Sequence, residues 1–371
     1  MTPDTPGPGT RGEREPAPSH SPQRRRARRH PVLATAIVLG AAALALAASV
    51  ALGQARISFA EVVGVLGRRL AGTGGDAHGW RETVILAVRL PRALVAFVVG
   101  GGLALAGAAL QGLFRNPLCD PGILGVSSGA SLGAVLTIYL GLASRAVWAL
   151  PAGAFAGAAA DALVVFAIAS RRGRGRMFTS TLLLVGVAVG VLAVSLTTFV
   201  LSVSLSRYDV GREIQYWILG GLDGRTWDHL LLGGPAVLAG GLLLGGHARE
   251  LDALALGELG AQSVGVDVPR VRVRIILAVS LIVGATVAVA GPIGFCGLLV
   301  PHLLRLLVGP AHRLLLPFSF VGGGAFVVGA DVLGRTVLGP AEIPVGVVTA
   351  ALGAPFFLAL LVRRGTEVGV A

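Results

Sequence analysis

Lysine is missing from this chain of 371 residues: all 31 basic residues are arginine. That absence excludes whole classes of chemistry. A P-loop needs a lysine on the nucleotide phosphates, and Schiff-base catalysis needs a lysine amine. If ATP drives this protein, another chain hydrolyses it. Charge is scarce as well, at 13% of residues, against about a quarter in soluble domains. There are two cysteines, Cys119 and Cys296, in separate apolar surroundings. Such residues suit buried packing rather than a disulfide or a metal site. No HExxH or paired CxxC occurs and the seven histidines are scattered, so no metal site is expected.

What is abundant is apolar: 54% of residues are hydrophobic. The fold class expected is an all-α polytopic membrane protein. The net charge of +12 raises nucleic acid as a partner. The arginines, however, lie in short clusters between apolar runs, as in a protein oriented by positive loops. The lipid bilayer, and not nucleic acid, is the partner this pattern implies.

Residues Met1–His30, rich in Pro, Ser, Gly and Arg, cannot bury a core and read as a disordered cytoplasmic tail. Its RRRARRH run, Arg24–His30, fits a positive-inside anchor. Residues 31–371 form the membrane domain. Val32–Leu52 is the first span, 21 residues long, or about 31 Å at the helical rise. It exceeds the apolar core of a signal peptide. The other nine spans are expected at Ala93–Leu113, Ile123–Leu142, Val147–Ser170, Phe178–Leu205, His229–Gly246, Ile275–Pro292, Phe295–Val308, Leu314–Val332 and Ile343–Val362. Ten spans put both termini on one side, the cytoplasm by the distribution of arginine. Gly53–Arg92 reads as a long amphipathic outer loop. Its Arg56, Arg68, Arg69, Arg81, Arg89 and Arg92 go against the positive-inside rule.

His247–Arg274 is the longest polar interruption of the C-terminal half, a short helical core among charged residues. On periodicity alone it fits an amphipathic loop on the bilayer as well as a socket for another subunit. Small residues four apart in GVSSG (Gly125–Gly129), GASLG (Gly129–Gly133), GAFAG (Gly153–Gly157) and GVAVG (Gly186–Gly190) suit close helix packing within the chain.

Four segments together resemble the FecCD-type permease subunit of ABC importers for iron–siderophores, haem and vitamin B12. They are RLPRALVAFVVGGGLALAGAALQGLFRNPLCDPGILGVSSGASLG (Arg89–Gly133), LALGELGAQSVGV (Leu254–Val266), GPIGFCGLLVPHLLRLLVGPAHRLLLP (Gly291–Pro317) and ADVLGRTVLGPAEIPVGVVTAALGAPFFLALL (Ala330–Leu361). The resemblance covers the chain from about Arg89 onward. It implies a type II ABC importer permease fold of ten helices in a bacterial inner or plasma membrane. The partners implied are a second permease subunit (the same chain or a related one), two ATP-binding subunits and an extracytoplasmic substrate-binding protein. ATP and Mg would sit on the partner ATPase, leaving this chain without a cofactor and without enzymatic activity of its own.

By the same resemblance, 247–274 is the cytoplasmic loop that couples to the ATPase, through Leu254, Leu256, Gly257, Glu258, Leu259, Gly260, Gln262 and Gly265. Leu254, Leu256 and Leu259 would plug an apolar groove, Glu258 and Gln262 would stay at its rim, and the glycines would allow tight turns. Arg89, Arg92 and Arg335 match the arginines that dock the binding protein, a role suited to the bidentate guanidinium. The competing role is snorkelling at span ends. Asp331 and Arg305 also fall in the matched motifs, as structural or mouth residues. Asn116 and Asp120 read as caps beside Pro117 and Pro121. Ser206–Trp227 reads as a short outer helix with Tyr216, Trp217 and Trp227 at the interface. Asp161 falls inside an apolar span, where a carboxylate is either functional or a buried structural partner. The cargo expected is a metal chelate, with iron–siderophore ahead of haem or cobalamin as the commonest role of the family. Two other readings rank below. One is an intramembrane hydrolase using Ser127 or Ser128 with His302. The other is a secondary transporter with Asp161 as its coupling carboxylate.

Overall fold

A computed structural model describes residues 31–53, 55, 57–72, 79–172, 176–339 and 341–368. The arginine-rich tail, Arg56 and positions 173–175 lie outside them. The described residues form helices and no strands, in the order α1 (Pro31–Ala51), α2 (Phe59–Leu70), α3 (Trp80–Thr83), α4 (Leu90–Leu113), α5 (Val126–Tyr139), α6 (Ala149–Arg172), α7 (Arg176–Ser204), α8 (Tyr208–Ile218), α9 (Trp227–Gly246), α10 (Ala248–Leu254), α11 (Glu258–Ser263), α12 (Val268–Ala290), α13 (Cys296–Val308), α14 (His312–Thr336) and α15 (Val345–Val368). Among the described residues, seven helices are long and apolar enough to cross a membrane, and three shorter apolar ones, in α5, α13 and α15, bring the number to ten. At 14 residues, α5 covers about 21 Å, less than the bilayer core.

Two expected boundaries move. The Gly53–Arg92 segment is helical over much of its length. α2 is held at its start by a capping box between Ser58 and Glu61. α3 then runs through a π-helical turn, Val84–Arg89, into α4 without a break. Arg89 and Arg92 therefore sit on a helix rather than in a loop. At the other site, α12 starts seven residues before Ile275. Asp267 caps it, accepting from the Arg270 N–H at 3.2 Å, and Pro269 occupies the first turn, where a missing N–H costs nothing.

The core is built on α4 and α12, whose side chains are buried nearly all round. α1, α6, α7 and α9 surround them and turn Leu44, Leu163, Leu184 and Leu231 outward, the apolar exterior expected of a chain solvated by lipid. Backbone contact through glycine holds the layers together. A Cβ on Gly100 of α4 would stand 2.2 Å from the Gly323 carbonyl oxygen of α14. A Cβ on Gly133 of α5 would stand 2.2 Å from the Gly153 oxygen of α6, and one on Gly157 equally close to the Gly129 oxygen. With no water to expel from between apolar helices, such approach is what holds them. The expected small-residue stripes thus serve packing within the chain. Gly190 of the fourth stripe rests on Gly125.

Candidate functional site

The two ends of α4 define two sites. At its C-terminal end the polar 247–274 segment folds over the bundle. Asp252 of α10 accepts from both the backbone N–H (2.9 Å) and Nδ1 (2.7 Å) of His312, the first residue of α14. The His312 ring in turn covers Gly112 of α4. A single carboxylate thus caps α14 from outside its own chain segment and fixes α10 to the bundle. Glu258, at the start of α11, accepts from the buried Arg272 of α12 at 2.6 Å. α10 and α11 are joined through Gly257, at φ +99, a conformation that glycine alone adopts without strain.

On this frame the apolar residues divide. Leu254 is buried and packs with Leu251 into the core. Leu256 and Leu259 are 71% and 82% exposed, with the exposed Val264 at the far side of α11. The eight residues expected at the ATPase contact are therefore brought together, but not all in the expected way. Leu254 anchors the loop and does not plug a groove. Glu258 holds Arg272 rather than standing free at a rim, while Gln262 and Gly265 are exposed and Gly260 half-buried. Gly265 supplies the second turn, at φ +86.

At the other end of α4, the three arginines expected to face outward are buried, Arg89 at 5% exposure, Arg92 at 9% and Arg335 at 7%. Arg89 donates to the carbonyls of Val50 (2.9 Å) and Ala51 (2.7 Å), and to that of Ala55. It closes the C-terminus of α1, where the orphan carbonyls need donors. Arg335 donates to the carbonyls of Ser49 and Leu52, both at 3.2 Å. Asp331, fully buried, lies between Arg92 Nη2 at 2.8 Å and Arg335 Nε at 3.0 Å. Arg92 also reaches Glu342 at 2.8 Å and the exposed Asp223 at 3.6 Å. All three guanidiniums are thus committed within the chain and knit α1, α4, α14 and the segment before α15. Sequence reasoning named Asp331 within the matched motif but passed over Glu342 in the same motif, and it missed Asp223, which lies outside the matched segments.

Asp161 is buried in α6 beside Gly125 and Gly129. Gly125 is the residue preceding the first turn of α5, so the carboxylate stands at the positive end of that helix. Its Oδ2 is buried without a hydrogen-bond partner. Asp120 accepts from the Gly122 N–H at 2.8 Å and caps the short 3-10 turn Pro121–Leu124 as expected, whereas Asn116 accepts from the Leu118 N–H at 2.9 Å within the connecting turn and caps no helix. Both cysteines are free and buried. Burial pushes the Cys119 thiol up to about 12, which leaves it inert.

The FecCD transport family matches residues 41–363. The chain belongs to that family. It is 47% identical over 287 residues to the cobalamin import system permease protein BtuC of Halobacterium salinarum, covering 76% of this chain and 74% of that protein. It is 41% identical over 303 residues to the hemin transport system permease protein HmuU of Yersinia pestis, covering 80% and 88%. Among solved structures, one described as a metal-chelate type ABC transporter in an inward-facing conformation superposes with a TM-score of 0.78 at 29% identity, covering 90% of this chain and all of that one. This FecCD chain is accordingly an ABC importer permease, a multi-pass membrane transport subunit whose ATPase is carried by another subunit. The family assignment supports neither the hydrolase nor the secondary-transporter reading.

Proposed function

We propose that this chain forms the membrane pathway of a metal-chelate importer, paired with a second permease subunit. Two ATP-binding subunits, carrying ATP and Mg, seat on the α10–α11 segment at the cytoplasmic face. An extracytoplasmic substrate-binding protein delivers cargo at the Arg92 end, where the three arginines frame the docking surface from within. The observation that carries this reading is the exposed Leu256–Leu259 tip on a frame fixed by Asp252–His312 and Glu258–Arg272. Two large apolar side chains held rigidly in water suit insertion into a partner's groove.

Cobalamin is the cargo we place first, because the 47% identical relative is named for it, with haem next on the name of the 41% identical one. Iron–siderophore, preferred on family frequency, has no such support among these relatives. The test is uptake of labelled cobalamin, haem and a ferric siderophore in a deletion strain complemented with this chain and its partners. Cobalamin uptake restored alone is the expected result. Restoration of siderophore uptake alone would reverse the order, and restoration of none of the three would refute metal-chelate import.

A further inference from the structure

α6 and α9 both pack on α12, and a groove of about 350 Å3 runs between them. One wall is the face of α6 that carries Ala152 and Phe155, with Trp148 just ahead of the helix. The other is the face of α9 that carries Leu232 and Ala236. Ala288 of α12 lies on the floor. Trp148, Phe155 and Leu232 are exposed and Ala288 is buried, as the walls and floor of an open slot must be. Among the described lining residues no side chain is charged, and the Trp148 indole is the one polar group.

The lining positions follow the helices. Trp148, Ala152 and Phe155 share one face along α6, and Leu232 and Ala236 share one face of α9, as residues three or four apart do. The slot therefore runs along the helix axes, for about 10 Å at the helical rise. It begins at the Arg92 end of the bundle: Leu150 lines one cavity with Arg92, and Trp227 at the start of α9 donates to the Leu86 carbonyl at 3.0 Å. Both helices are long and apolar enough to cross a membrane, so hydrocarbon surrounds the slot, and Trp148 stands at a span end, where indoles sit at headgroup level. Elsewhere in this bundle small residues bring helix backbones together, as Gly133 does with Gly153. Here Ala152, Ala236 and Ala288 face a gap instead.

We propose that this groove binds an acyl chain of a membrane phospholipid, in the leaflet at the Arg92 end, as a packing element between α6 and α9. Apolar walls lose their dispersion contacts wherever no atom faces them. Water is a poor guest, because it needs several polar partners and an apolar cavity stays dry. A metal chelate would bury polar groups without partners. A helix of a second copy, about 10 Å across, can lie over the slot but not enter it. An acyl chain is apolar and unbranched and runs parallel to the spans, as the slot does. It fills the seam that the small residues leave open, and joins α6 to α9 where the two helices are held together only through α12.

The test uses the full chain, delipidated in maltoside detergent and titrated with phosphatidylcholine brominated on its acyl chains, with tryptophan fluorescence as the readout. Wild type should show a saturable quenching that Trp148→Phe removes. Ala152→Phe and Ala236→Phe fill the slot from opposite walls, and each should need at least about tenfold more lipid, a difference of about 1.4 kcal/mol. Ala152 is exposed, so its variant should keep the wild-type gel-filtration profile. Quenching that never saturates, or that survives in Trp148→Phe, overturns the site. Lipid uptake unchanged in both filling variants overturns the groove as its place. The last arm asks whether protein covers the slot. Cys119 and Cys296 are buried, so Leu232→Cys offers an accessible thiol for copper-phenanthroline oxidation in proteoliposomes. The chain should stay monomeric on a non-reducing gel; a disulfide-linked pair would put a second copy over the groove and overturn the lipid as its occupant.

Discussion

Removing the charge of Asp331 is the sharpest probe of the Arg92 end. Asp331 is fully buried between Arg92 and Arg335, residues that are themselves 9% and 7% exposed. Asp331→Asn keeps the shape and deletes the anion. Arg92 retains Glu342 and Asp223. Arg335 retains only neutral partners, the carbonyls of Ser49 and Leu52 and the Ser49 hydroxyl. Breaking a buried pair by removing one partner costs about 3–5 kcal/mol. Because Arg92 stays compensated, the low end applies, about 3 kcal/mol, or roughly a hundredfold in the folding equilibrium. The assay is SDS-titrated unfolding of the purified chain from mixed micelles. The quadruple variant Asp331→Leu, Arg92→Leu, Arg335→Leu, Glu342→Gln should recover most of the loss, because it leaves no buried charge unpaired and replacing a whole buried cluster is often neutral. If Asp331→Asn unfolds within about 1 kcal/mol of wild type, the scale of an exposed pair, the cluster is solvated and the arginines are free to dock a partner directly.

Two further outcomes test other parts of the architecture. Leu256→Glu with Leu259→Glu should leave unfolding within about 0.5 kcal/mol of wild type, as for exposed positions, yet abolish co-purification of the ATPase; full recovery of the ATPase would refute the groove-insertion reading. Gly133→Leu drives a side chain into the Gly153 carbonyl and should destabilise by about 1–3 kcal/mol or more, measured by the same SDS titration, whereas Gly141→Leu, at a glycine with open space around it, reports only the backbone cost of its positive φ.

The positions of the apolar spans were legible in the sequence, because a bilayer core demands about 20 apolar residues per crossing helix and this demand is written locally. The same holds for the lysine-free composition, which removes a P-loop, and for caps such as Asp120, whose partner is two residues away. The identity of the α10–α11 segment as the polar interruption was also local. What each of its leucines does was not. Leu254 and Leu256 are two residues apart on one apolar motif, and only packing decides that the first is buried and the second exposed.

The Arg92 end shows the limit most clearly. From sequence, Arg89, Arg92 and Arg335 are three arginines near span ends, equally suited to a partner or to lipid headgroups. One pair is local, Asp331 with Arg335 four positions further along α14, but the contacts that join separate segments are remote: Asp331 lies 239 positions from Arg92, and Ser49 lies 286 from Arg335. A charge pair at such separation leaves no local pattern, because periodicity records which face of a helix is apolar and not which helix it meets. Composition and hydropathy therefore determined that this chain is a polytopic membrane protein with about ten apolar helices. Tertiary structure alone decided that Arg89, Arg92 and Arg335 are buried struts. Burying a charge is tolerable only when distant segments close around it with the right counter-groups, and that closure exists only in the folded chain.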